Sequence, residues 1–299
     1  MCPRILNYGS LNIDLVYRVP HIVRPGETIS SQSFLTFAGG KGANQSVAIA
    51  RAGGKVYHAG KVGRDGQWLL KKIVGYGVNT HFIRTIKENT GQAVIQVAEN
   101  GENAIFLHPG ANLRIKRTEI DDVLGHFSAG DMLLLQNEIN EVAYLIHAAH
   151  DKKMLICLNP APMDQQVKKY PLHKVNMLIL NEIEGAALSG YKKPEIILDA
   201  LERKLPETEI VITLGKRGAM AGLSGRRSIK QSPVPVKAAD TTAAGDTFIG
   251  YYLACRVNGQ SPAECLRYAC AAAAICVTRP GAMDSIPAVM EVKSFLKSK

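Results

Sequence analysis

The sequence lacks an apolar stretch long enough to cross a membrane. Its longest uncharged apolar run covers residues 268–278, whereas a transmembrane helix needs about 20 residues. The first residues, Met1 to Arg4, do not form the apolar segment that a secretion signal requires. We therefore expect a cytoplasmic protein that has no membrane partner.

Cysteines are few, and their spacing does not fit a metal site. None of the six forms a CxxC pair, and no zinc-ligand spacing occurs. Cys157, Cys255 and Cys276 lie in apolar runs, where a free thiol packs as a small hydrophobic group. We expect the same of Cys2, Cys265 and Cys270.

Aromatic residues are also scarce, at 6% of the chain, although the formal net charge is +10. Nucleic-acid-binding proteins usually cluster positive charge on one face and add aromatic side chains. Here the basic residues occur as scattered pairs such as Lys71–Lys72 and Arg226–Arg227. This argues against a nucleic-acid partner and favours a small phosphorylated molecule as the anion that the surplus charge attracts.

Short apolar runs alternate with helical patterns from about residue 131 onward. Residues 132–135, 155–158, 177–180 and 210–213 are typical of buried strands, and residues 141–152 show an apolar helical face. This alternation predicts a three-layer α/β fold, a Rossmann-like and mostly parallel sheet with helices on both faces. We expect a single domain over residues 1–299.

The N-terminal part departs from this alternation. Residues 4–8 fit a first parallel strand, and residues 28–37 are extended. Residues 92–98 and 104–107 flank Asn100–Gly101, and Asn-Gly between two strands is a strong hairpin signal. These segments predict a small antiparallel β-sheet lid, formed by about residues 15–37 and 92–108.

Polar residues or glycine follow the predicted parallel strands. In open α/β sheets, ligands bind beyond the carboxyl ends of the strands. The residues at these positions are Asn12, Asp14, Glu138, Asn159, Asn181 and Gly215. A single asparagine there could be a helix N-cap, but the whole set predicts one crevice.

Neither GxxxxGK[ST] nor a helix-opening GxGxxG occurs, so a bound nucleotide must be held in another way.

The first glycine segment, residues 38–44, leads into an apolar helix over residues 45–52. Glycines before a helix let a ligand approach the backbone N–H groups. Lys41 adds a charge suited to phosphate, and Asn44 can bond to hydroxyls. A tight helix entry with a solvated lysine would fit the same pattern.

The second glycine segment, residues 240–248, opens a helix over residues 245–257. Small residues before a helix leave several N–H groups free to meet an anion. Asp246 at this point would repel a bound phosphate but could remove the proton of an acceptor hydroxyl. Alternatively, it is an ordinary acidic residue in the first turn of a helix.

Together these segments resemble the two motifs of the ribokinase-like, or phosphofructokinase-B, family of carbohydrate kinases. Residues 38–45 read AGGKGANQ, and residues 240–248 read DTTAAGDTF. The resemblance covers nearly the whole chain, because the other motifs follow in the family's order: Asn12-x-Asp14, Pro25-Gly26-Glu27, residues 108–112, residues 159–162, Asn181-x-x-Glu184 and residues 213–218.

The resemblance implies an enzyme that uses ATP to phosphorylate D-ribose at the 5-hydroxyl. A related kinase for another pentose, a hexose or a nucleoside is the first alternative, and a non-catalytic sugar or nucleotide sensor is the second. By resemblance, Asp246 is the catalytic base, and the N–H groups of Ala243, Ala244 and Gly245 form the anion hole.

The resemblance also assigns the substrate contacts. The sugar-binding positions are Asn12, Asp14, Gly40, Lys41, Gly42, Ala43, Asn44, Glu138 and Asp246. The ATP-binding positions are Asn181, Thr213, Leu214, Gly215, Lys216, Arg217, Gly218, Gly245 and Cys270.

Two cations and a homodimer are further implications of the resemblance. Glu184 would organise Mg²⁺ through water. A monovalent cation, K⁺, would be held by Asp240, Thr242, Cys276, Arg279, Gly281 and Ser285, several of them through backbone carbonyls. Two lids would pair in a homodimer and cover the apolar residues of each small sheet.

Overall fold

A large and a small β-sheet form in the computed structural model, which describes residues 3–298 and therefore not Cys2. The strands are β1 (Ile5–Tyr8), β2 (Asn12–Val19), β3 (Ser33–Gly39), β4 (Val56–Gly63), β5 (Asn79–Ile86), β6 (Gly91–Ala98), β7 (Asn103–His108), β8 (Met132–Gln136), β9 (Leu155–Asn159), β10 (Met177–Asn181), β11 (Glu209–Thr213), β12 (Ala219–Gly222) and β13 (Ile229–Gln231).

The large sheet has the order β13-β12-β11-β10-β9-β8-β1-β4-β5. Its strands from β11 to β5 pair in parallel, and β12 and β13 add an antiparallel edge. The chain runs outward from β1 through β4 and β5 and then returns to β8 on the other side of β1. The order therefore reverses between β1 and β8, and a parallel sheet binds ligands at such a point.

The helices are α1 (Lys41–Arg51), α2 (Gln67–Gly75), α3 (Arg117–Gly125), α4 (Val142–Asp151), α5 (Glu182–Ser189), α6 (Pro194–Lys204), α7 (Ala244–Val257), α8 (Pro262–Cys276) and α9 (Val289–Lys297). Among residues 3–298, none of these combines the length and the apolar character needed to span a bilayer.

Helices cover both faces of the large sheet, as the sequence predicts. In β8, Leu134 packs into a core with α1, α2, α7, α8 and α9, whereas Leu133 and Leu135 pack into a second core with α3, α4, α5 and α6. Side chains of a strand alternate between its two faces, so a run of leucines fills both cores. The mostly parallel, three-layer prediction is confirmed.

The small sheet has the order β3-β2-β6-β7. The predicted hairpin around Asn100–Gly101 is confirmed, because β6 and β7 pair antiparallel from Gln92↔His108 to Val97↔Asn103. The sheet differs from the prediction in two ways. The strand β2 begins at Asn12 and pairs in parallel with β6, and residues 28–32 precede β3 without forming a strand.

Two other boundaries differ slightly from the sequence prediction. The helix α1 begins at Lys41 rather than at Gln45, so Gly42 lies inside it. The helix α7 begins at Ala244 rather than at Gly245. The five cysteines among the described residues are free. Four of them are buried, as predicted, whereas Cys255 is only half-buried.

Candidate active site

The carboxyl ends of the parallel strands border a cavity of about 220 Å³. Asn159, Asn181 and Thr213, the last residues of β9, β10 and β11, line it on one side. Lys41 at the start of α1 and the first turn of α7, including Asp246, line it on the other. The fold thus brings both glycine segments to the crevice that the sequence predicts.

The first turn of α7 presents backbone N–H groups to the cavity. Ala243 precedes the helix in the left-handed conformation, with φ 59° and ψ 7°, and the Ala244 N–H donates to the Thr241 carbonyl at 3.3 Å. The first N–H groups of a helix have no acceptor within it, and they carry the positive end of its dipole. Ala243, Ala244 and Gly245, the predicted anion hole, all line the cavity.

Asp246 is 9% exposed, and two amides hold its carboxylate. Asn44 Nδ2 donates to Oδ2 at 3.0 Å, and Gln45 Nε2 donates to Oδ1 at 2.9 Å. Each oxygen is therefore oriented by one donor from α1. A carboxylate oxygen can accept more than one hydrogen bond, so Asp246 retains lone pairs for a further hydrogen.

Glu138 contacts both the loop after β1 and the start of α1. Its carboxylate accepts a hydrogen bond from the Ser10 hydroxyl, and its Oε2 accepts another from the Lys41 N–H at 3.0 Å. Nearby, Asn112 Nδ2 donates to Asn12 Oδ1 at 2.8 Å. Buried polar side chains with settled partners form a rigid surface for recognising hydroxyl groups.

Carboxylates crowd around one cation in this part of the site. Burial, followed by the negative charges of Glu138 and Asp246, raises the pKa of Asp14 to about 7, while Lys41 opposes the rise. Burial lowers the pKa of Lys41, but its attraction to Asp246, Glu138, Glu184 and Asp14 outweighs this effect, so its pKa lies above the ordinary value. Lys41 is therefore charged at neutral pH.

The first glycine segment is shaped by close contact with the loop after β1. Gly40 has φ +92°, a conformation that favours glycine. A Cβ on Gly42 would lie 2.4 Å from the Ser10 nitrogen, and the Ala43 N–H donates to the Ser10 carbonyl at 2.9 Å. Gly42 and Ala43, predicted as sugar contacts, are buried here and hold α1 against this loop.

Asn181 and Glu184 cap the first turn of α5. The Asn181 N–H donates to Glu184 Oε2 and its Nδ2 donates to Oε1, both at 2.9 Å, while the Glu184 N–H donates back to Asn181 Oδ1 at 2.9 Å. Burial raises the pKa of Glu184. Both residues also line the cavity, so the cap presents a carboxylate at its wall.

Five of the other predicted nucleotide positions lie in and around the turn after β11. Leu214 precedes a 3₁₀ turn over Gly215–Arg217, and Lys216 is exposed. The Arg217 guanidinium forms an ion pair with Glu182. Gly218 follows the turn with φ +90°. Cys270 is 8% exposed within α8 and does not line the cavity.

Five of the six residues predicted to hold a monovalent cation form one hydrogen-bonded group. Asp240 Oδ1 accepts from the Thr242 N–H at 2.8 Å, and Oδ2 accepts from the Gly281 N–H at 2.9 Å. Cys276 Sγ lies 3.0 Å from Ser285 Oγ and 3.7 Å from the Thr242 carbonyl.

The sixth residue, Arg279, directs its side chain to Glu291 at 2.5 Å. Burial raises the pKa of Asp240, but its hydrogen bonds to Thr242 and Gly281 outweigh this effect, so the pKa lies below the ordinary value. The charged Asp240 carboxylate therefore links the segment before α7 to the turn after α8 through hydrogen bonds.

Sequence reasoning missed two residues of the site, Gln45 and Ser10. Gln45 contacts Asp246 directly, and Ser10 contacts Glu138. A signal for Gln45 was present: Asn44, Gln45 and Ser46 are consecutive polar residues directly before the apolar run Val47–Ala50. Residues 42–49 are all buried, so polar side chains among them must find internal partners.

The model of the pfkB carbohydrate kinase family matches residues 3–289. The ribokinase of Haemophilus influenzae is 36% identical over 97% of each chain. The solved ribokinase of Cryptococcus neoformans var. grubii, in complex with ADP, is 36% identical, with a TM-score of 0.87 over 98% of this chain and 99% of that one. The ribokinase of Arabidopsis thaliana, complexed with ribose and ATP, is 31% identical, with a TM-score of 0.89 over 99% of each chain. The chain belongs to the pfkB family of carbohydrate kinases.

Proposed function

We propose that this kinase transfers the γ-phosphoryl group of ATP to the 5-hydroxyl of D-ribose. The observation that carries the proposal is the position of Asp246. It lies in the first turn of α7, beside the backbone N–H groups of the predicted anion hole, and its carboxylate faces the amides of Asn44 and Gln45. The relative solved with ribose and ATP has the same fold over nearly its full length, which supports this pair of substrates.

The sugar lies, in this proposal, on the side of Glu138, where the small sheet meets α1. Asn12, Asp14 and Asn44 bond to its hydroxyl groups, and the Gly40 backbone permits close approach. Because Asn12 and Glu138 already have fixed partners, the sugar meets groups that need little reorganisation on binding.

The nucleotide lies on the side of β10 and β11, next to Asn181, Thr213 and the turn from Leu214 to Gly218. Its terminal phosphate then faces the first turn of α7 and Lys41. Asp246 aligns the 5-hydroxyl and accepts its proton as the phosphoryl group is transferred. The N–H groups of α7 and the Lys41 cation stabilise the negative charge on that group, which is the main contribution a protein makes to this reaction.

Glu184 fits a role in holding Mg²⁺ through water rather than directly. Both of its oxygens already accept hydrogen bonds from Asn181, yet the carboxylate lines the cavity and retains further lone pairs. Mg²⁺ keeps several of its waters when bound to proteins. When present, it neutralises charge on the phosphates of ATP.

The group around Asp240 fits a monovalent cation such as K⁺. Asp240 supplies a formal charge, and the turns at Thr242 and Gly281 supply backbone carbonyls, which are suitable ligands for an alkali cation. This cation would not touch either substrate. It would hold the segment from Asp240 to Asp246 in one conformation, so that the N–H groups are aimed before the reaction begins.

The small sheet is proposed to be a lid over the sugar and the site of homodimerisation. Its edge strands β3 and β7 carry exposed apolar side chains, and Leu35, Ile105 and Phe106 are each more than half exposed. Unpaired edges and apolar patches favour association. Two lids related by a twofold axis would cover each other and would exclude water from the transferring group.

The test is an ADP-release assay over a panel of sugars and nucleosides. D-Ribose is expected to give the highest kcat/KM, and the product should be the 5-phosphate by ³¹P NMR with proton coupling. Asp151→Asn is a matched surface control, because Asp151 is exposed on α4. A higher kcat/KM for a hexose, a nucleoside or another pentose would overturn the assignment of ribose, and binding without turnover would indicate a sensor.

A further inference from the structure

A chain of buried side chains leads from the interior of the protein to Asp246. Gln45 Nε2 donates to Asp246 Oδ1 at 2.9 Å and to Asn159 Oδ1 at 3.2 Å. Gln45 Oε1 accepts from Gln136 Nε2 at 2.7 Å, and the same Gln136 nitrogen donates to Asn7 Oδ1 at 3.1 Å. These amides connect α1, β8, β1 and α7 at the point where the strand order reverses.

The far end of this chain is a buried histidine. Asn7 Nδ2 donates to Ser46 Oγ at 2.9 Å and to the Gly42 carbonyl at 2.7 Å. Ser46 Oγ lies 2.8 Å from His58 Nδ1, and His58 Nε2 lies 3.2 Å from the Gly9 carbonyl. Burial lowers the pKa of His58 to about 4, so the ring is neutral at physiological pH.

The direction of every hydrogen bond in the chain follows from the Gly9 carbonyl. A carbonyl oxygen only accepts, so His58 Nε2 carries the hydrogen and Nδ1 accepts from the Ser46 hydroxyl. Ser46 Oγ then accepts from Asn7, whose two amide hydrogens are thereby used. Asn7 Oδ1 is left to accept from Gln136.

The same logic fixes the amide of Gln45. Because Gln136 donates to both Asn7 and Gln45, the oxygen of Gln45 must face Gln136 and its NH₂ group must face Asp246. Asn159 supports this orientation, since its Nδ2 donates to the Ile179 carbonyl at 3.0 Å and leaves its oxygen toward Gln45. The opposite orientation would bring two oxygens together at Asp246 and at Asn159, and two NH₂ groups together at Gln136.

We propose that Gln45 is a positioning residue for Asp246, and that Gln136 keeps its amide in the donating orientation. This inference rests on the proposed role of Asp246 as the base. Gln45 does not touch the sugar or ATP in this arrangement. Its effect should therefore appear in the rate of phosphoryl transfer and not in the binding of substrate.

The first experiment measures kcat, KM for the sugar and the melting temperature of Gln45→Met, with Gln67→Met as control. Methionine has a similar size but donates no hydrogen bond, and Gln67 lies exposed at the start of α2. We expect kcat to fall by about 10- to 100-fold, because misplacing a reacting group has effects of that order. KM should change by less than about threefold, and Gln67→Met should match the wild type. An unchanged kcat, or a raised KM with unchanged kcat, would overturn the proposal.

The second experiment tests the coupling between Gln45 and Gln136. Gln136→Met removes the donor to the Gln45 oxygen and leaves only Asp246 and Asn159 to hold the amide, so kcat should fall by roughly 3- to 10-fold. The double variant should be no slower than Gln45→Met, because the two residues act through the same contact. Independent structural roles would instead multiply the two losses, and that result would overturn the proposal.

Gln45→Glu gives a decisive result even if Gln45→Met does not fold. It keeps the length and the acceptor for Gln136 but turns a carboxylate toward Asp246. We expect a loss of kcat of at least tenfold with sugar affinity, measured by calorimetry, within about threefold of the wild type; a kcat within threefold would contradict the inference. All rates are measured with the acceptor that gives the highest kcat/KM in the panel. If that acceptor is not ribose, the panel shows it, and the ratio of variant to wild-type kcat still tests the role of Gln45.

Discussion

The amide of Asn44 meets the carboxylate of Asp246 at 3.0 Å, although 202 residues separate them in the chain. The Asn44 oxygen is buried and has no hydrogen-bond partner among the described residues. A half-turn of the Asn44 amide would therefore point its oxygen at residue 246 in place of its NH₂ group, and no other hydrogen bond of Asn44 Oδ1 would be broken. Asp246 can be changed to a neutral amide while its surroundings remain satisfied.

Asp246→Asn should thus keep the fold and sugar binding but lose turnover. The new amide can donate to the rotated Asn44 and accept from Gln45, but it cannot take the hydroxyl proton. Loss of a general base lowers kcat by about 10²- to 10⁴-fold. Sugar affinity by calorimetry and kcat by ADP release check this, with Asp151→Asn as control. A variant that retains more than about a tenth of the wild-type kcat would refute the role of Asp246.

Replacing K⁺ by tetramethylammonium at constant ionic strength should lower the wild-type kcat by roughly tenfold. This is less than the roughly 10²- to 10³-fold effect of removing one oxyanion donor, because the donors remain but are less well aimed. Asp240→Ala should already be slow and should not respond to K⁺. Asp199→Ala, on the exposed face of α6, should respond as the wild type does. If kcat and KM of the wild type are both independent of K⁺, the proposed site is not used.

Phe106→Asp should convert a dimer into a monomer. Phe106 is 59% exposed on β7, and burying an unpaired charge at each of two related positions costs several kcal/mol. We expect the dimer dissociation constant to rise by at least about 100-fold, measured by sedimentation equilibrium. Met290→Asp is the control, because Met290 is 66% exposed but lies on α9, outside the small sheet. A wild-type monomer at micromolar concentration would contradict the proposed interface.

Asp14→Asn should stabilise the unliganded protein at pH 8 but not at pH 4. The pKa of Asp14 is about 7 in the folded protein against an ordinary 3.8, so the folded state keeps a proton that the unfolded chain releases. The free energy of unfolding therefore falls as pH rises from about 4 to 7. Asparagine does not titrate, so at pH 8 the variant avoids this fall in the free energy of unfolding, which amounts to up to about 4 kcal/mol. Urea denaturation at both pH values measures the gain, and an equal gain at both would contradict the cause.

The large sheet could be predicted because each buried strand is a short apolar run between polar ends. The run Leu133–Leu135 fits a strand buried on both faces, because it is short and lies between the turn residues Gly130 and Asp131 and the polar residue Gln136. The strand β2 was harder to predict. Its partner in the small sheet is β6, with Asn12 opposite Gly91, and a parallel pairing between segments so far apart leaves no local turn signal in the sequence.

The residues of the candidate site likewise differ in whether the sequence alone could predict them. Asp246 and Lys41 stand in recognisable motifs, so their roles could be proposed from the sequence. Ser10 could not, because a serine after a strand is common, and its contact with Glu138 depends on how the loop after β1 packs on α1. The polar run around Gln45 signals a buried polar side chain, but its partners depend on the joint arrangement of β1, β8 and α7, which no local pattern encodes.

The left-handed turn at Ala243 has a consequence for the flexibility of the chain. Alanine costs about 1–2 kcal/mol in this conformation, which glycine would adopt freely. Glycine would, however, also give the unfolded chain and the loop many more accessible states. The side chain of Ala243 therefore adds some strain to the folded state but reduces the number of conformations open to the chain. In the proposed reaction, this restraint would hold the N–H groups at the start of α7 in position for the phosphoryl group.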